Sequence, residues 1–406
     1  ALGELSLDGS ILAVTGALPA AMTAAEDTRT LLCPKTSGAE AAWVGDARVI
    51  GASTLTEVVR HYTGQSPLPP AEPGEVHSDL PGRDLADVRG QERAKRAIEI
   101  AAAGRHHLMM VGTPGSGKSM LAARLPSILP ALTPSEALET SMIHSLAGVL
   151  KEGGIYRSRP FCEPHHTASM AAIVGGGRRA SPGQISLAHN GVLFMDEFPE
   201  FSRQVLETLR QPIETGEVVV ARANAHVRYP CRFMLVAAAN PCRCGYSNDP
   251  TRGCAQGPKC GEGYLSRISG PLMDRFDLRV DVPPVAFTDL DLPAGGETSK
   301  TVAQRVALAR DRQAERYAGI PGMHLNADAE GEALASFATP EPAGRELLLK
   351  VAEQFGLSAR GYHRVMRVAR TIADLEGANT VSRTHVAEAI SYRLSPSAPQ
   401  ATAKAS

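Results

Sequence analysis

The sequence predicts an α/β protein built around a parallel sheet, and three apolar runs carry that prediction. Leu108–Val111 is a run of four apolar residues, as expected for a strand that is buried on both faces. A glycine-rich turn and apolar residues at helical spacing follow it directly. Two further apolar runs, at 191–195 and 232–239, each end in polar side chains. Strands that alternate with helical segments in this way are typical of a parallel sheet with helices packed against it.

Composition limits the possible functions. The 406 residues suggest two to three domains, and 43% hydrophobic residues are enough for substantial cores. A formal net charge of −1 excludes a global attraction to nucleic acid or to acidic membranes, so any nucleic-acid site must be a local basic surface. No apolar run approaches the roughly 20 residues of a membrane span.

The termini and cysteines add two expectations. The chain begins at Ala1 and reads as the middle of a domain, so we expect the natural N-terminus to lie upstream. Four of the seven cysteines lie between Cys242 and Cys260. This crowding favours a reducing compartment and a metal site over a disulfide framework, and it predicts a cytoplasmic protein.

The turn after the first apolar run fits the phosphate-loop pattern G-x-x-x-x-G-K-[ST]. Its glycines let backbone amides turn towards a phosphate chain, and the following helix N-terminus adds positive partial charge. Lys118 is expected to reach the β- and γ-phosphates of ATP, and the Ser119 hydroxyl to bind Mg²⁺. The predicted nucleotide-binding residues are Gly112, Thr113, Pro114, Gly115, Ser116, Gly117, Lys118 and Ser119.

Two carboxylates end the second apolar run. Asp196 and Glu197 follow the predicted strand directly, in the arrangement known as Walker B. Asp196 is expected to hold Mg²⁺, directly or through water. Glu197 is expected to orient and deprotonate the water that attacks the γ-phosphate. The pair lies 78 residues after Lys118 (196 − 118), which makes the assignment more specific than either motif alone.

Two segments are basic. The stretch 159–184 holds three glycines followed by Arg178 and Arg179, which predicts a mobile loop that can approach phosphates. The stretch 216–231 predicts a hairpin with Arg222, His226 and Arg228 on it. A solvated edge ribbon is the alternative for the hairpin. The His165–His166 pair is disfavoured as a metal site, because adjacent residues on a strand point to opposite faces.

Four cysteines follow the third apolar run. A C-x-C pair, nine intervening residues and a C-x₅-C pair can close a tetrahedron around structural zinc. Reduced thiols without metal are the alternative. A catalytic metal is excluded, because four thiolates leave no open coordination position. The predicted zinc ligands are Cys242, Cys244, Cys254 and Cys260.

The chain divides into four segments. Residues 1–64 mix short strands with alanine-rich helix, and residues 65–84 hold five prolines, which predicts an extended linker. Residues 85–290 form the predicted ATPase core, with the cysteine insertion at 242–260. Residues 301–395 predict a helical domain, and the tail beyond it is low in complexity.

Several segments resemble known families. Residues 1–64 resemble the second half of a Lon-protease-type domain of ribosomal-S5-like fold. At the position of the Lon G-G-x-K-E-K pattern, which carries the catalytic lysine, this chain has Gly16-Ala17-Leu18-Pro19-Ala20-Ala21 and neither lysine, so peptidase activity is not expected. Val88-Arg89-Gly90-Gln91 resembles the V-x-G-Q segment near the adenine in AAA+ ATPases.

Three polar positions resemble the remaining AAA+ site residues. Asn240 resembles sensor 1, which contacts the γ-phosphate or the attacking water. Arg275, within Leu272-Met273-Asp274-Arg275-Phe276-Asp277, resembles the arginine finger that faces a neighbouring subunit's nucleotide, with Arg267 a weaker candidate. Ser358-Ala359-Arg360 resembles sensor 2 at the start of a lid helix, which would place Arg360 on the nucleotide phosphates.

In combination these motifs are similar to those of the ComM family of magnesium-chelatase-like AAA+ ATPases. The resemblance covers nearly the whole chain, including RPFCEPHHTAS, ISLAHNGVLFMDE, NPCRCG and SARGYHRVMRVARTIADL. It implies ATP and Mg²⁺ as cofactors and a hexameric motor that acts on DNA, in branch migration during natural transformation. The incomplete N-terminal domain and the wide second cysteine spacing depart from the family pattern. The ATPase subunit of a metal chelatase, or a chaperone that remodels a protein partner, is the alternative function.

Overall fold

The computed structural model describes residues 1–77, 82–150, 154–177, 180–222, 225–246, 254, 258–285 and 296–394. Within these ranges an N-terminal α/β unit precedes a central parallel sheet and a C-terminal group of helices. Among the helices that the structure describes, none combines the length and the apolar character needed to cross a membrane.

The N-terminal unit contains one antiparallel pair of short strands and one parallel pair. Its first two strands pair antiparallel, and the next two pair parallel with Leu31 opposite Val49. A small alanine-rich core that includes Ala17, Ala21 and Cys33 holds the helices on this pair. The elements are β1 (Glu4–Leu5), β2 (Ile11–Leu12), α1 (Ala17–Glu26), β3 (Leu31–Pro34), α2 (Lys35–Ala41), β4 (Val49–Ala52) and α3 (Leu55–Tyr62).

The described residues of the proline-rich segment form no helix, and they hydrogen-bond to neighbouring parts of the chain. The Ala71 amide donates to the Val49 carbonyl at 2.9 Å, which ties the segment to the N-terminal unit. Further on, Val76–His77 forms a short strand that pairs parallel with Ile155–Tyr156 of the central part. Residues 78–81 lie outside the described ranges. The segment therefore joins the two parts through backbone hydrogen bonds.

The central part follows the order of elements expected of an α/β core. Two 3₁₀ turns, at Leu85–Asp87 and Phe198–Glu200, accompany the longer elements. The elements are β5 (Val76–His77), α4 (Glu92–Gly104), β6 (Leu108–Val111), α5 (Lys118–Ala122), α6 (Leu125–Ile128), α7 (Pro134–Ala147), β7 (Ile155–Tyr156), β8 (Phe161–Cys162), α8 (Met170–Val174), β9 (Gly175–Gly176), β10 (Ser181–Pro182), α9 (Gln184–Leu187), β11 (Val192–Met195), α10 (Arg203–Thr208), α11 (Arg210–Thr215), β12 (Glu217–Arg222), β13 (Ala225–Pro230), β14 (Met234–Ala239), α12 (Pro258–Leu265), α13 (Gly270–Met273) and β15 (Leu278–Asp281).

The five-stranded sheet has the order β15-β6-β14-β11-β8, and every pair in it is parallel. The predicted α/β fold with a parallel sheet is confirmed. Successive residues of the inner strands serve opposite cores, because side chains alternate across a strand. Met110 and Phe194 belong to the core shared with the C-terminal helices, whereas Met109 and Leu193 face the core under the β12–β13 hairpin. Burial on both faces explains why these strands read as continuous apolar runs.

The C-terminal part is helical, as predicted. Its first long helix packs on α4, and its buried side chains join the core on that face of the sheet. The helix that carries Arg360 begins where the Ser358 hydroxyl accepts a hydrogen bond from the Gly361 amide at 3.0 Å. The elements are α14 (Ser299–Arg316), a 3₁₀ turn (Asn326–Asp328), α15 (Gly331–Ala338), α16 (Pro342–Phe355), α17 (Ala359–Glu376) and α18 (Arg383–Arg393).

The stretch from Phe201 to Ile213 contributes to two short helices, α10 and α11. Two local expectations were wrong. The stretch 159–184 is not a mobile loop throughout, because it contains α8 and the short β9–β10 pair, and Arg159 is buried in an ion pair with Glu136 at 3.0 Å. Likewise, His165 and His166 do not lie on a strand; their rings stand 4.2 Å apart between centroids.

Candidate nucleotide site

The phosphate loop joins β6 to α5 at the carboxyl end of the sheet. Gly115 and Gly117 adopt positive φ angles of 75° and 91°, a conformation that glycine reaches without strain. At Gly112 a side chain is excluded, because a Cβ would lie 2.2 Å from the Val282 carbonyl oxygen. The glycine pattern therefore fixes both the turn of the loop and its close approach to the neighbouring strand.

Lys118 points into the loop that it ends. Its ammonium group donates to the carbonyl oxygens of Gly112 and Thr113 at 2.8 and 2.9 Å and lies 3.3 Å from Oδ1 of Asn240. Burial lowers the pKa of Lys118, while the charges of Asp196 and Glu197 oppose that shift. A buried cation held only by neutral oxygens is arranged to accept an anionic partner such as a phosphate chain.

Ser119 and Asp196 meet at the base of the loop. The Ser119 hydroxyl donates to Oδ2 of Asp196 at 2.5 Å, which brings the two predicted Mg²⁺ ligands together. A hydroxyl and a carboxylate are hard oxygen ligands of the kind that Mg²⁺ prefers alongside water and phosphate oxygens. The donor set therefore fits the ion that the sequence predicts.

Glu197 follows Asp196 with a positive φ of 49°, which is uncommon for a residue with a Cβ. This turn carries its side chain out of the strand direction, where it remains half exposed. Asn240 ends the neighbouring strand β14 and contacts Lys118. Glu197, Asn240 and Lys118 thus lie at one edge of the sheet, although their catalytic roles remain predictions.

The residues after β8 were missed as part of this site. Nδ1 of His166 lies 3.2 Å from Oε2 of Glu197, and burial together with the charge of Asp196 raises the pKa of Glu163. The strand order explains why these residues lie near Glu197, because β8 lies beside β11 and both strands end at the same edge. Sequence offered a weak indication: His166 follows an apolar pair at the end of a short strand.

The V-x-G-Q segment reaches the phosphate loop through its glutamine. Gln91 donates from Nε2 to the carbonyl of Ser116 at 3.3 Å and to the carbonyl of Pro283. The residue itself has a positive φ of 60° at the start of α4. This contact places the segment beside the predicted nucleotide, although the contact with adenine itself remains a prediction.

Arg275 and Arg360 lie together, away from the phosphate loop. Both border a cavity of about 620 Å³ whose wall contains six arginines and no phosphate-loop residue. Arg275 is 6% exposed and forms an ion pair with Glu214. Burial lowers the pKa of Arg275, Glu214 raises it, and Arg364 and Arg360 lower it further. The wall also contains the carboxylates of Glu214, Asp277, Asp328 and Glu330, so its arginines exceed its acidic side chains by two (6 − 4).

Arg267, the weaker finger candidate, has an ordinary partner. Its guanidinium lies 2.9 Å from Oε2 of Glu200, and both side chains are partly exposed. This pair ties the segment after α12 to the 3₁₀ turn that follows Glu197. Arg267 is thus part of the frame behind the carboxylates.

The four predicted zinc ligands come together. One ligand atom from each of the four cysteines lies within 4.8 Å of every other. Hydrogen bonding to Cys242 raises the pKa of the Cys244 thiol to about 11, so a bound cation would have to displace that proton. All seven cysteines fall in the described part of the chain, and none of them is in a disulfide.

The hairpin and the glycine loop lie side by side. The Tyr229 hydroxyl donates to the Ala180 carbonyl at 2.8 Å, and β12 packs on β9. The inner face of the hairpin, with Val218 and Val220, is buried, whereas the Arg228 side chain is 78% exposed. Arg178, Arg179 and the side chain of Arg222 lie outside the described residues.

A phosphate loop, a strand-end carboxylate pair and a polar strand end on a parallel sheet, followed by a helical domain, define a P-loop ATPase of the AAA+ class. Residues 84–290 match the family described as magnesium chelatase, subunit ChlI, and residues 296–393 match its C-terminal region. The fold therefore implies ATP and Mg²⁺ as cofactors. AAA+ proteins commonly form oligomers.

Similarity to known proteins identifies the family of this chain within the AAA+ class. The chain is 43% identical to competence protein ComM of Haemophilus influenzae over 97% of its own length and 77% of that protein. It is 41% identical to the Escherichia coli protein YifB over 97% of its length and 76% of that protein. The magnesium-chelatase 38 kDa subunit of Cereibacter sphaeroides is 26% identical, with 76% of this chain and 90% of that subunit covered. This chain belongs to the ComM family of magnesium-chelatase-like proteins.

Proposed function

We propose that this protein is an ATP-driven ring motor that acts on DNA. The observation that carries the proposal is the 43% identity to a competence protein along 97% of the chain, together with an assembled set of hydrolysis residues. Competence concerns the uptake and processing of DNA, which makes DNA the favoured substrate. All seven cysteines are free thiols, which favours a reducing compartment, and we propose the cytoplasm.

Hydrolysis follows from the roles of five side chains. Lys118 would neutralise charge on the β- and γ-phosphates, and Ser119 and Asp196 would hold Mg²⁺, which would supply further positive charge to the phosphate chain. Glu197 accepts a proton from the attacking water, and Asn240 orients that water or the γ-phosphate. The contacts of Lys118 with Asn240 and of Ser119 with Asp196 support this assignment.

Completion of the site requires a second subunit in this proposal. Arg275 and Arg360 border one cavity whose wall contains no residue of this chain's phosphate loop, which favours a role at another subunit's nucleotide. A γ-phosphate from a neighbouring copy would meet several guanidinium groups there, and such charge stabilises the transition state of phosphoryl transfer. The Arg275–Glu214 ion pair would have to open first. We propose a homo-oligomer, most simply a hexamer, in which the cavity faces the next subunit's nucleotide.

The DNA surface combines the hairpin with the glycine loop. The Tyr229–Ala180 hydrogen bond holds the described parts of the two segments together, which supports treating their cations as one proposed contact surface. Exposed guanidinium groups that follow a phosphate backbone release counterions and give binding without sequence preference. The proposed contact residues are Arg178, Arg179, Arg222 and Arg228.

The first experiment is ATP turnover with and without DNA. Single-stranded and forked DNA should each raise the steady-state rate, whereas an unfolded protein substrate should not. Turnover that ignores both DNAs but responds to a protein partner would instead support the alternative, a chelatase-type or chaperone ATPase. The 26% identity to a magnesium-chelatase subunit is the observation that supports this alternative.

The second experiment locates the surface. Replacing Arg178, Arg179, Arg222 and Arg228 with alanine should flatten the dependence of DNA affinity on salt, since each lost phosphate contact lowers the slope by roughly 0.9. The matched control removes four exposed arginines elsewhere, which are Arg29, Arg60, Arg345 and Arg383. Equal slopes for the two variants would place the DNA surface elsewhere on the protein.

A further inference from the structure

We propose that Cys242, Cys244, Cys254 and Cys260 bind one structural Zn²⁺, and that this ion braces the nucleotide site from behind. The proposal goes beyond the motor function, because it concerns what holds the ATP-binding loop in shape. It rests on the positions of the four thiols and on three contacts from their segment to the site.

The thiol geometry fits a tetrahedral ion. Zinc–sulfur bonds of about 2.3 Å at tetrahedral angles separate neighbouring sulfurs by roughly 3.8 Å. In the structure all four sulfurs lie within 4.8 Å of one another, and those of Cys242 and Cys244 are 3.0 Å apart. A disulfide needs a separation of about 2.05 Å, so this pair is close without being bonded.

The donor set selects the metal. Four thiolates are soft ligands, which favour Zn²⁺ over Mg²⁺ or Ca²⁺. A complete set of four protein ligands leaves no position for water or substrate, so the ion has a structural role. Cys242 is fully buried and Cys244 is exposed, which gives the site a rigid inner ligand and an accessible outer one.

The first contact with the nucleotide site is along the chain. Cys242 comes two residues after Asn240, at the end of the buried strand β14. Asn240 lies 3.3 Å from the Lys118 ammonium group. A metal ligand so close to the strand end limits how far the Asn240 side chain can move.

The second contact is with the phosphate loop itself. Gly245, with φ of 87°, closes a turn whose amide donates to the Cys242 carbonyl at 2.9 Å. A Cβ at Gly245 would lie 2.6 Å from Cδ and Cγ of Pro114. The backbone of the cysteine turn therefore lies directly against the proline ring of the loop, and only glycine permits that approach.

The third contact is with the carboxylate side of the site. Cys260 lies in α12, and the same helix brings Tyr264 into the core under the sheet. Just beyond it, Arg267 pairs with Glu200, three residues after Glu197, at 2.9 Å. One ion would thus fix a segment that touches the phosphate loop, Asn240 and the turn after Glu197.

The experiment measures zinc and ATP binding separately, and neither measurement needs DNA. Protein purified under reducing conditions without chelator should contain about one Zn²⁺ per chain by elemental analysis. Cys244→Ser should lose the ion, and its Kd for a fluorescent ATP analogue should rise about tenfold or more, although Cys244 is not part of the phosphate loop. Cys244→His should keep both zinc and affinity, because imidazole is also a zinc ligand.

Controls separate this effect from misfolding. Cys33→Ala removes a buried cysteine in the N-terminal unit, and it should change neither zinc content nor ATP affinity. Far-UV circular dichroism of Cys244→Ser should match wild type, since Cys244 is exposed. Adding Zn²⁺ back to metal-stripped wild type should restore ATP affinity.

Three results would overturn the inference. The metal site is wrong if wild type holds no zinc. The brace is wrong if Cys244→Ser loses zinc yet binds the analogue with wild-type affinity, or if Cys33→Ala weakens binding equally. Loss of DNA stimulation alone would bear on the motor function and leave this inference untouched.

Discussion

His166 lies against the predicted catalytic carboxylate, with Nδ1 3.2 Å from Oε2 of Glu197. The neighbouring ring of His165 lies 4.2 Å away between centroids and takes a different partner, the Thr167 hydroxyl, at 2.7 Å. The segment then continues into α8 and the glycine loop of the proposed DNA surface. A side chain from the segment that leads to the proposed DNA surface thus contacts the predicted catalytic carboxylate.

The first prediction is that His166 restrains Glu197 when no DNA is bound. His166→Ala should raise DNA-free ATP turnover by up to about fivefold, because even a fully charged pair at a partly exposed site is worth roughly 1 kcal/mol at most. The ATP dissociation constant should not change, and stimulation by DNA should shrink correspondingly. His165→Ala is the matched control. Identical basal turnover in His166→Ala and wild type would refute the restraint, and recovery of control in His166→Gln would support it.

The second prediction separates ATP binding from hydrolysis. Glu197→Gln should still bind ATP and lose turnover by about 10² to 10⁴, since an amide cannot take the proton of water. Lys118→Ala should instead lose affinity, because the buried ammonium group contacts the phosphate chain in the proposed complex. Equilibrium binding and single-turnover hydrolysis measure the two effects. Normal turnover in Glu197→Gln would remove Glu197 from its assigned role.

The third prediction tests whether Arg275 acts across a subunit boundary. Arg275→Ala should bind ATP normally and hydrolyse it poorly. Mixing it with Lys118→Ala should restore part of the activity, because a Lys118→Ala subunit offers an intact Arg275 to the intact loop of its neighbour. Turnover of the mixture is compared with each variant alone, with mixed assembly verified by mass spectrometry. Mixed rings without recovered turnover would argue against a finger in trans.

The fourth prediction concerns the attachment of the helical domain to the core. Arg364 of α17 lies 2.6 Å from Oδ1 of Asp277; the Asp277 side chain is buried and that of Arg364 is 12% exposed. Burial raises the pKa of Asp277, but the charges of Arg364, His106 and His107 together with a hydrogen bond to His106 hold it well below its ordinary value of 3.8. Because the folded pKa is depressed, this stabilisation is present above about pH 4 and is lost as the pH falls further.

Asp277→Asn should therefore lower the free energy of unfolding at pH 7 by up to about 3 kcal/mol, since the Arg364 guanidinium loses its carboxylate and keeps, among the described residues, only the Arg275 carbonyl. Chemical denaturation at pH 7 measures the loss. Between pH 4 and pH 3 the variant should lose less stability than wild type, because asparagine does not titrate. Asp27→Asn, in the exposed pair with Arg29, should have little effect and serves as control. Equal losses in the two variants would contradict a buried attachment.

Motifs whose residues are close together in the sequence could be identified without the structure. The phosphate loop could be identified because its glycines, lysine and serine are contiguous, and the strand before it because burial on both faces requires an unbroken apolar run. Strand ends carried Asp196, Glu197 and Asn240, and the parallel order of the sheet explains why these three residues lie at one edge. The helix start at Ser358 was also readable, since a cap involves only residues close in sequence.

Contacts between residues that are far apart in the sequence became known only from the packed fold. The strand order placed β8 next to β11 and so brought His166 to Glu197, which no spacing in the sequence expresses. Arg159 forms an ion pair with Glu136. The sequence did not predict this pair, because an arginine's charge does not show which carboxylate from another element will contact it.

The two arginines with predicted phosphate roles show the same limit. The motifs predicted separate roles for Arg275 and Arg360. In the structure both side chains border one cavity, whose wall contains no phosphate-loop residue. Local patterns fix which chemical groups are present at a strand end or helix start. The distances between groups far apart in sequence follow from the packing of the sheet and helices, and those distances are set by contacts that involve the whole chain.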